Sequence, residues 1–211
     1  MLGWMLTPSQ SAAHRLDEYL QASLISIEPD EVRLRMALMP GVAVAEQVLG
    51  TIDRDHDGTI SREEQAAYAE VLRRDLSLQL DGSRMELQLR RVDFAEPKEL
   101  REGSGMIEVE YSSVSRGLAK GVHHLVVENR HSPVSSVYQV NALQPKSLTV
   151  RILRQNRNVN QSTAEIVFTV DPPVNSAGTK GTLIAGVGVG LCAILAAGGV
   201  TIWRKRFRDR G

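Results

Sequence analysis

The chain of 211 residues has a single cysteine, Cys192, and it sits inside an apolar run. That excludes a disulfide framework, a CxxC-type zinc site and a cysteine nucleophile in the polar part of the chain. Aromatic residues supply only 4% of the sequence, so any core must be built from aliphatic side chains with few large anchors. Net charge is missing as well, with 25 Lys+Arg against 25 Asp+Glu, but the zero conceals a polarity. Residues 204–211 carry five basic groups and one acidic, and the remainder carries 20 basic against 24 acidic. A protein held to nucleic acid by a general basic surface is thereby excluded, because neutralising phosphates needs clustered Lys and Arg. There is no glycine-rich phosphate loop and no arguable Ser/His/Asp arrangement, and Asp17-Glu18 stands without a base or nucleophile beside it. Nothing here points to an enzyme.

What is present begins with one long uncharged run, GTLIAGVGVGLCAILAAGGVTIW, from Gly181 to Trp203. About 20 apolar residues cross a bilayer core as a helix. The run ends on Trp203 and is followed by RKRFRDR. An interfacial aromatic and a basic cluster mark a stop-transfer segment whose basic side stays in the cytoplasm. The sequence therefore predicts one transmembrane helix over 182–203, a cytoplasmic tail over 204–211 and an extracytoplasmic body, periplasmic or at the cell surface. Pro172, Pro173 and the small polar residues after them give an extended stalk over 171–181. Gly186 and Gly190, with Thr182 one turn earlier, form a small-xxx-small face suited to self-association or to contact with a membrane transporter. At the other end, residues 1–13 offer only Leu2–Leu6 as an apolar core, yet Ser11-Ala12-Ala13 has the small residues a signal peptidase prefers. Residues 1–13 are read as the remnant of a signal peptide; insertion directed by the terminal helix is the alternative.

Residues 14–170 read as strands. Val32, Leu34, Met36 and Leu38 alternate with polar or small partners, as do Ile107, Val109 and Tyr111 with Glu108 and Glu110. Asp81-Gly82 lies between the alternating runs Leu76–Leu80 and Met85–Leu89, a hairpin signal because both turn positions need positive φ. With Tyr19–Ile27, Val122–Glu128, Val137–Leu143, Leu148–Leu153 and Ala164–Val170, about nine strands are expected. The fold class is mainly β, an antiparallel β-sandwich. Ile107, Val109 and Tyr111 are expected on its buried face, Glu108 and Glu110 in solvent.

One segment departs from this period. Over 41–76 the apolar residues Val44, Val48 and Leu49, then Tyr68, Val71, Leu72 and Leu76, follow helical spacing around a polar loop. That loop is Asp53-Arg54-Asp55-His56-Asp57-Gly58-Thr59-Ile60-Ser61-Arg62-Glu63-Glu64. Calcium takes six to eight hard oxygens, and a twelve-residue loop wraps them around one ion. Asp53, Asp55 and Asp57 supply alternate carboxylates, Thr59 its backbone carbonyl, Ser61 a water, and Glu64 both carboxylate oxygens. Gly58 allows the sharp turn and Ile60 packs between the helices. This is the full EF-hand pattern. Ser61 and Glu64 also spell a capping box. His56 points outward and is not counted as a ligand. Magnesium, smaller and octahedral, is the competing ion. His123 and His124 are adjacent in a strand and face opposite sides, and His131 lies just past its end. His14 would join a free amine to an imidazole if cleavage followed Ala13, which suits copper or nickel.

The stretch HRLDEYLQASLISIEPDEVRLRMALMPGVAV followed by DRDHDGTISREE resembles the extracytoplasmic EF-hand region of bacterial membrane-anchored proteins. ENRHSPVSSVYQVNALQP, with RQNRNVNQ further on, is similar to the second half of the same module. A similar head precedes the multi-span region of nickel/cobalt permeases of the hydrogenase- and urease-accessory type. With one span where a transporter needs many, no transport activity carries over. The resemblance implies a single-pass, calcium-binding membrane protein; the rival is an accessory subunit that handles nickel, cobalt or copper through His14, His123, His124 and His131. The topology is checked by adding protease to spheroplasts: the body should be digested, and a body fully protected would reverse the orientation.

Overall fold

A computed structural model of the chain describes residues 17–115 and 117–171. The described chain is mainly β. In order it runs β1 (Tyr19–Ile27), β2 (Glu31–Pro40), α1 (Ala45–Ile52), α2 (Arg62–Asp75), β3 (Leu76–Leu80), β4 (Ser83–Arg84) and β5 (Gln88–Phe94). There follow α3 (Pro97–Arg101), β6 (Ile107–Val114), β7 (Gly121–Asn129), β8 (Ser136–Ala142), β9 (Val150–Arg157) and β10 (Thr163–Val170). The strands make two five-stranded sheets, ordered β5-β6-β2-β1-β8 and β4-β3-β7-β10-β9. Period-two patterning does its expected work: Ile25, Ile27, Leu34, Met36, Leu38, Ile107, Val109 and Tyr111 of the first sheet share one apolar cluster with Leu78, Leu125, Val127, Ile166 and Phe168 of the second. The helix–loop–helix is inserted between β2 and β3, and Val48, Leu49, Ile52, Tyr68 and Leu72 add its apolar face to that cluster.

Four expectations are corrected. The sheets are not wholly antiparallel, since β1 pairs with β8 in parallel register, Tyr19 opposite Ser136 and Ile25 opposite Ala142. The chain reaches β8 only after passing through the second sheet, so the rule that short turns give antiparallel neighbours does not govern that pair. The run Met85–Leu89 is not one strand. Only Ser83 and Arg84 complete the hairpin, after which the chain crosses and continues as β5 in the other sheet. Leu148 lies outside β9 and is 97% exposed. Glu108, expected in solvent, is buried, because on its face of β6 it is flanked by Ala37 of β2 and Asp93 of β5. Helix α3, a single turn begun by Pro97 and anchored by the buried Leu100, is too short to leave a periodic trace in the sequence.

Sheet edges are managed by side chains. Gln155 of β9 accepts from the Ala142 amide at 3.1 Å and donates to the Val140 carbonyl at 3.3 Å, and Arg157 Nε donates to the same carbonyl at 2.6 Å. The open edge of β8 is thus stitched to the opposite sheet. The β3–β4 hairpin turns at Asp81 and Gly82, with φ of 49° and 78°, the pair of positive values the DG signal predicts.

Asp81 also holds a histidine. His123 Nδ1 lies 2.7 Å from Asp81 Oδ2 and Nε2 lies 2.8 Å from the Ala119 carbonyl. Carboxylate and carbonyl both accept, so the site favours a ring that donates from both nitrogens, the imidazolium. It stacks on Phe168 with centroids 5.4 Å apart. Burial works to lower its pKa, but the hydrogen bonds to Asp81 and Ala119 outweigh that and raise it. A pKa raised on folding adds stability that is complete below the unfolded value and is lost as pH rises through the folded one. The wild-type advantage over His123→Gln in thermal unfolding should therefore be larger at pH 5.5 than at pH 8.5; an advantage constant in pH would refute the charged ring.

Candidate metal centre

Two helices present the loop. Helix α1 ends when the Asp53 amide donates to the Leu49 carbonyl and the chain turns extended. Helix α2 starts at Ser61, whose hydroxyl accepts from the Glu64 amide at 3.2 Å while Glu64 Oε2 accepts from the Ser61 amide at 2.9 Å. That reciprocal cap satisfies two donors a helix start otherwise leaves open. Between them the chain makes its bend through His56 and Gly58, at φ of 59° and 84°. Glycine takes that conformation freely, and histidine is among the residues that tolerate it. His56 is exposed, and Ile60 packs half-buried against the core.

The turn brings Asp53, Asp55 and Asp57 together, with one carboxylate oxygen of each lying within 4.8 Å of the others. Internal donors hold the carboxylates in place. The Gly58 amide donates to Asp53 Oδ2 at 3.0 Å, the Asp57 amide to Asp55 Oδ1 at 3.2 Å, and both the amide and hydroxyl of Thr59 to Asp57 Oδ1. Asp53 Oδ1 is buried and has no hydrogen-bond partner. A buried carboxylate oxygen without a donor is costly, and a cation is one way to satisfy it. Three carboxylates in that space suit a hard divalent ion and do not by themselves separate calcium from magnesium.

Glu64 is 8% exposed and bends back over the loop. Its Oε1 accepts from the Arg54 amide at 2.6 Å, joining the last loop position to the second, and its Oε2 also accepts from the Ser61 hydroxyl at 2.8 Å. The bonds from the Ser61 amide and hydroxyl, then that from Arg54, lower its pKa to about 2. It stays ionised far below neutral pH. Of the six expected ligands, the aspartates converge directly, Glu64 is drawn to the loop's mouth, and Thr59 and Ser61 serve in hydrogen bonds that shape it.

A second polar cluster, buried under α2, escaped the sequence reading. His131 Nδ1 lies 2.8 Å from Asp75 Oδ2, its Nε2 2.9 Å from the Tyr68 hydroxyl, and that hydroxyl 2.7 Å from the hydroxyl of Tyr19. Gln21 donates to the His131 carbonyl at 2.8 Å and accepts from Asn129 at 2.8 Å. Burial lowers the His131 pKa by more than Asp75 raises it, and it raises that of Tyr68 and of Tyr19. A cleft of about 340 Å³, lined by Thr51, Val71, Asp75, Arg130 and Pro133 among others, opens beside the cluster. The signal was there in Tyr68 and Asp75 at helical spacing from Glu64, but its partner lies far along the chain.

Two of the four histidines of the rival reading are engaged by protein groups. Both nitrogens of His123 and both of His131 bind protein groups, His124 is exposed on the opposite side of β7, and His14 lies outside the described residues. Among the described residues, Asp53, Asp55 and Asp57 are the one cluster of metal-ligating side chains. No helix among them is long and apolar enough to cross a membrane. The expected segments 1–13, 182–203 with Gly186 and Gly190, and 204–211 lie outside them, as does the stalk beyond Asp171. Comparison with protein-family models, with curated proteins and with solved structures returns no match. Function has to be read from the side chains themselves. On that footing Ser61→Ala, measured by urea unfolding in chelator, should cost about 1 kcal/mol through loss of the helix cap alone; a neutral substitution would mean the cap holds nothing.

Proposed function

We propose that the protein is a calcium-binding, single-pass membrane protein whose extracytoplasmic β-sandwich carries an EF-hand, anchored by a helix over 182–203. The observation that carries the reading is the convergence of Asp53, Asp55 and Asp57, with Asp53 Oδ1 buried and unpartnered and Glu64 folded back onto the loop. The loop's length and residue order favour calcium over magnesium, because a bidentate closing carboxylate suits a larger ion of seven or eight ligands. The resemblance to membrane-anchored EF-hand proteins supports the same reading. Calcium here ties α1 and α2 to one centre and stabilises or modulates a binding module, with a membrane transporter or a second copy as its partner. The accessory role in nickel, cobalt or copper handling draws less support, since the imidazoles of His123 and His131 are already engaged.

An ion that binds the folded form must stabilise it. At a hundred times its dissociation constant the gain is about 2.7 kcal/mol, or roughly 5–10 °C in Tm for a domain of this size. Thermal unfolding of the full chain in detergent, with chelator and then with millimolar calcium, should show that rise. Glu64→Gln should abolish most of it while keeping the helix cap, because glutamine also serves at that cap position. His56→Ala should leave it intact. Equal unfolding temperatures in both solutions, with no heat of binding, would sink the reading.

A further inference from the structure

Glu64, Tyr68, Leu72 and Asp75 lie on one face of α2, one turn apart, and the first three are buried. The residue that closes the cation loop and the two that grip His131 are therefore parts of a single rigid edge. The far end of that edge cannot slide: β3 begins at Leu76 with no linker, and the Arg130 amide donates to the Asp75 carbonyl at 3.0 Å. Tyr68, one turn from Glu64 on that edge, thus links the closing residue of the loop to His131.

The seat of Tyr68 has a fixed hydrogen-bond polarity. His131 Nδ1 faces a carboxylate and must donate, so in the neutral ring Nε2 accepts from Tyr68, and the Tyr68 oxygen accepts from Tyr19. A proton added at Nε2 reverses this order. Tyr68 must then turn its own proton toward Tyr19, and the Tyr19 proton is left facing a sealed core, since its hydroxyl has no second partner among the described residues. The other titratable or charged groups around the ring are Tyr138 of β8, whose hydroxyl donates to the His131 carbonyl at 3.0 Å, and Arg130, which pairs with Glu128. Neither meets the ring nitrogens. The cleft beside Asp75 gives protons from solvent a path to the cluster.

We propose that His131 is a proton-sensitive latch on the cation loop: its neutral form seats Tyr68 so that Glu64 closes on the ion, and its protonation loosens α2 and weakens binding at residues 53–64. This rests on the calcium reading. Linkage is reciprocal, so bound calcium must make His131 harder to protonate by the same factor.

The test uses the full chain in detergent and calcium itself as the probe. Calorimetric titration at pH 7.5 and at one pH unit below the ring's own titration midpoint in chelator, located by NMR, should show affinity about fivefold lower or more at the lower pH. His56→Gln should keep that fall, which excludes the loop's own imidazole as its source, and His131→Gln should remove it. The wild-type His131 ring, followed by NMR across the same range, should titrate at lower pH with calcium than with chelator. This last measurement needs no variant and decides the matter if His131→Gln fails to fold. Calcium binding at pH 7.5 with an unmoved ring titration would overturn the latch alone. No binding at pH 7.5 would overturn the calcium reading and the latch together.

Discussion

The imidazole of His131, held between Asp75 and Tyr68, is the contact through which an inserted helix pair becomes part of a β protein. A helix–loop–helix attached at two points to a strand-built body would hinge about its joints. Here α2 runs without linker into β3, and its inner face is fastened by Tyr68 to His131 and by the Tyr111 hydroxyl, which donates to the Ala69 carbonyl at 2.6 Å. Buried polar groups are costly when half satisfied and specific when fully satisfied, because only one arrangement feeds every donor an acceptor. The cluster of Tyr19, Tyr68, His131, Asp75, Gln21 and Asn129 therefore selects one seat for the helix pair, where an apolar contact would tolerate several.

Their surroundings push the two buried histidines in opposite directions. His123 faces two acceptors, which raise its pKa, whereas burial lowers that of His131 by more than Asp75 raises it. Neither direction follows from the residue type, and each follows from the surroundings. The acidic loop obeys the same logic. Its carboxylates crowd together, and the amides of Gly58, Asp57 and Thr59 with the hydroxyl of Thr59 offset part of their repulsion by supplying donors. The leftover valence is concentrated on Asp53 Oδ1, at the start of the loop.

What the sequence made legible was local. The aspartates that converge at positions 53, 55 and 57 and the helix cap at Ser61 and Glu64 lie within twelve consecutive residues, and Asp81-Gly82 specifies its turn from two residues alone. Alternation placed Ile107, Val109 and Tyr111 in the core for the same reason. Long-range partners were hidden. Glu108 alternates correctly, yet flanking strands take it out of solvent, and an alternation argument treats each strand as if it stood alone. The parallel β1–β8 pair and the Asp75–His131–Tyr68–Tyr19 chain join residues far apart in sequence, and no spacing within either segment announces the other.

That parallel pairing has a consequence for the order in which the chain assembles. Strand β1 leads the described chain and meets its antiparallel neighbour β2 within a few residues, but residues 136–142 complete its other edge only after most of the body has been made. Non-local pairing is slow because the entropy of closing the loop is lost before the contact returns anything. During synthesis the outer edge of β1 therefore stays unpaired longest, after β6 has covered that of β2, and Tyr19, Gln21 and Ser23 wait with it. Arrival of β8 closes the sheet, and the segment just ahead of it brings His131 to the tyrosines. The helix pair gains its final seat when β1 loses its free edge, so it is completed only after residues 136–142 are made, although its own residues emerge earlier.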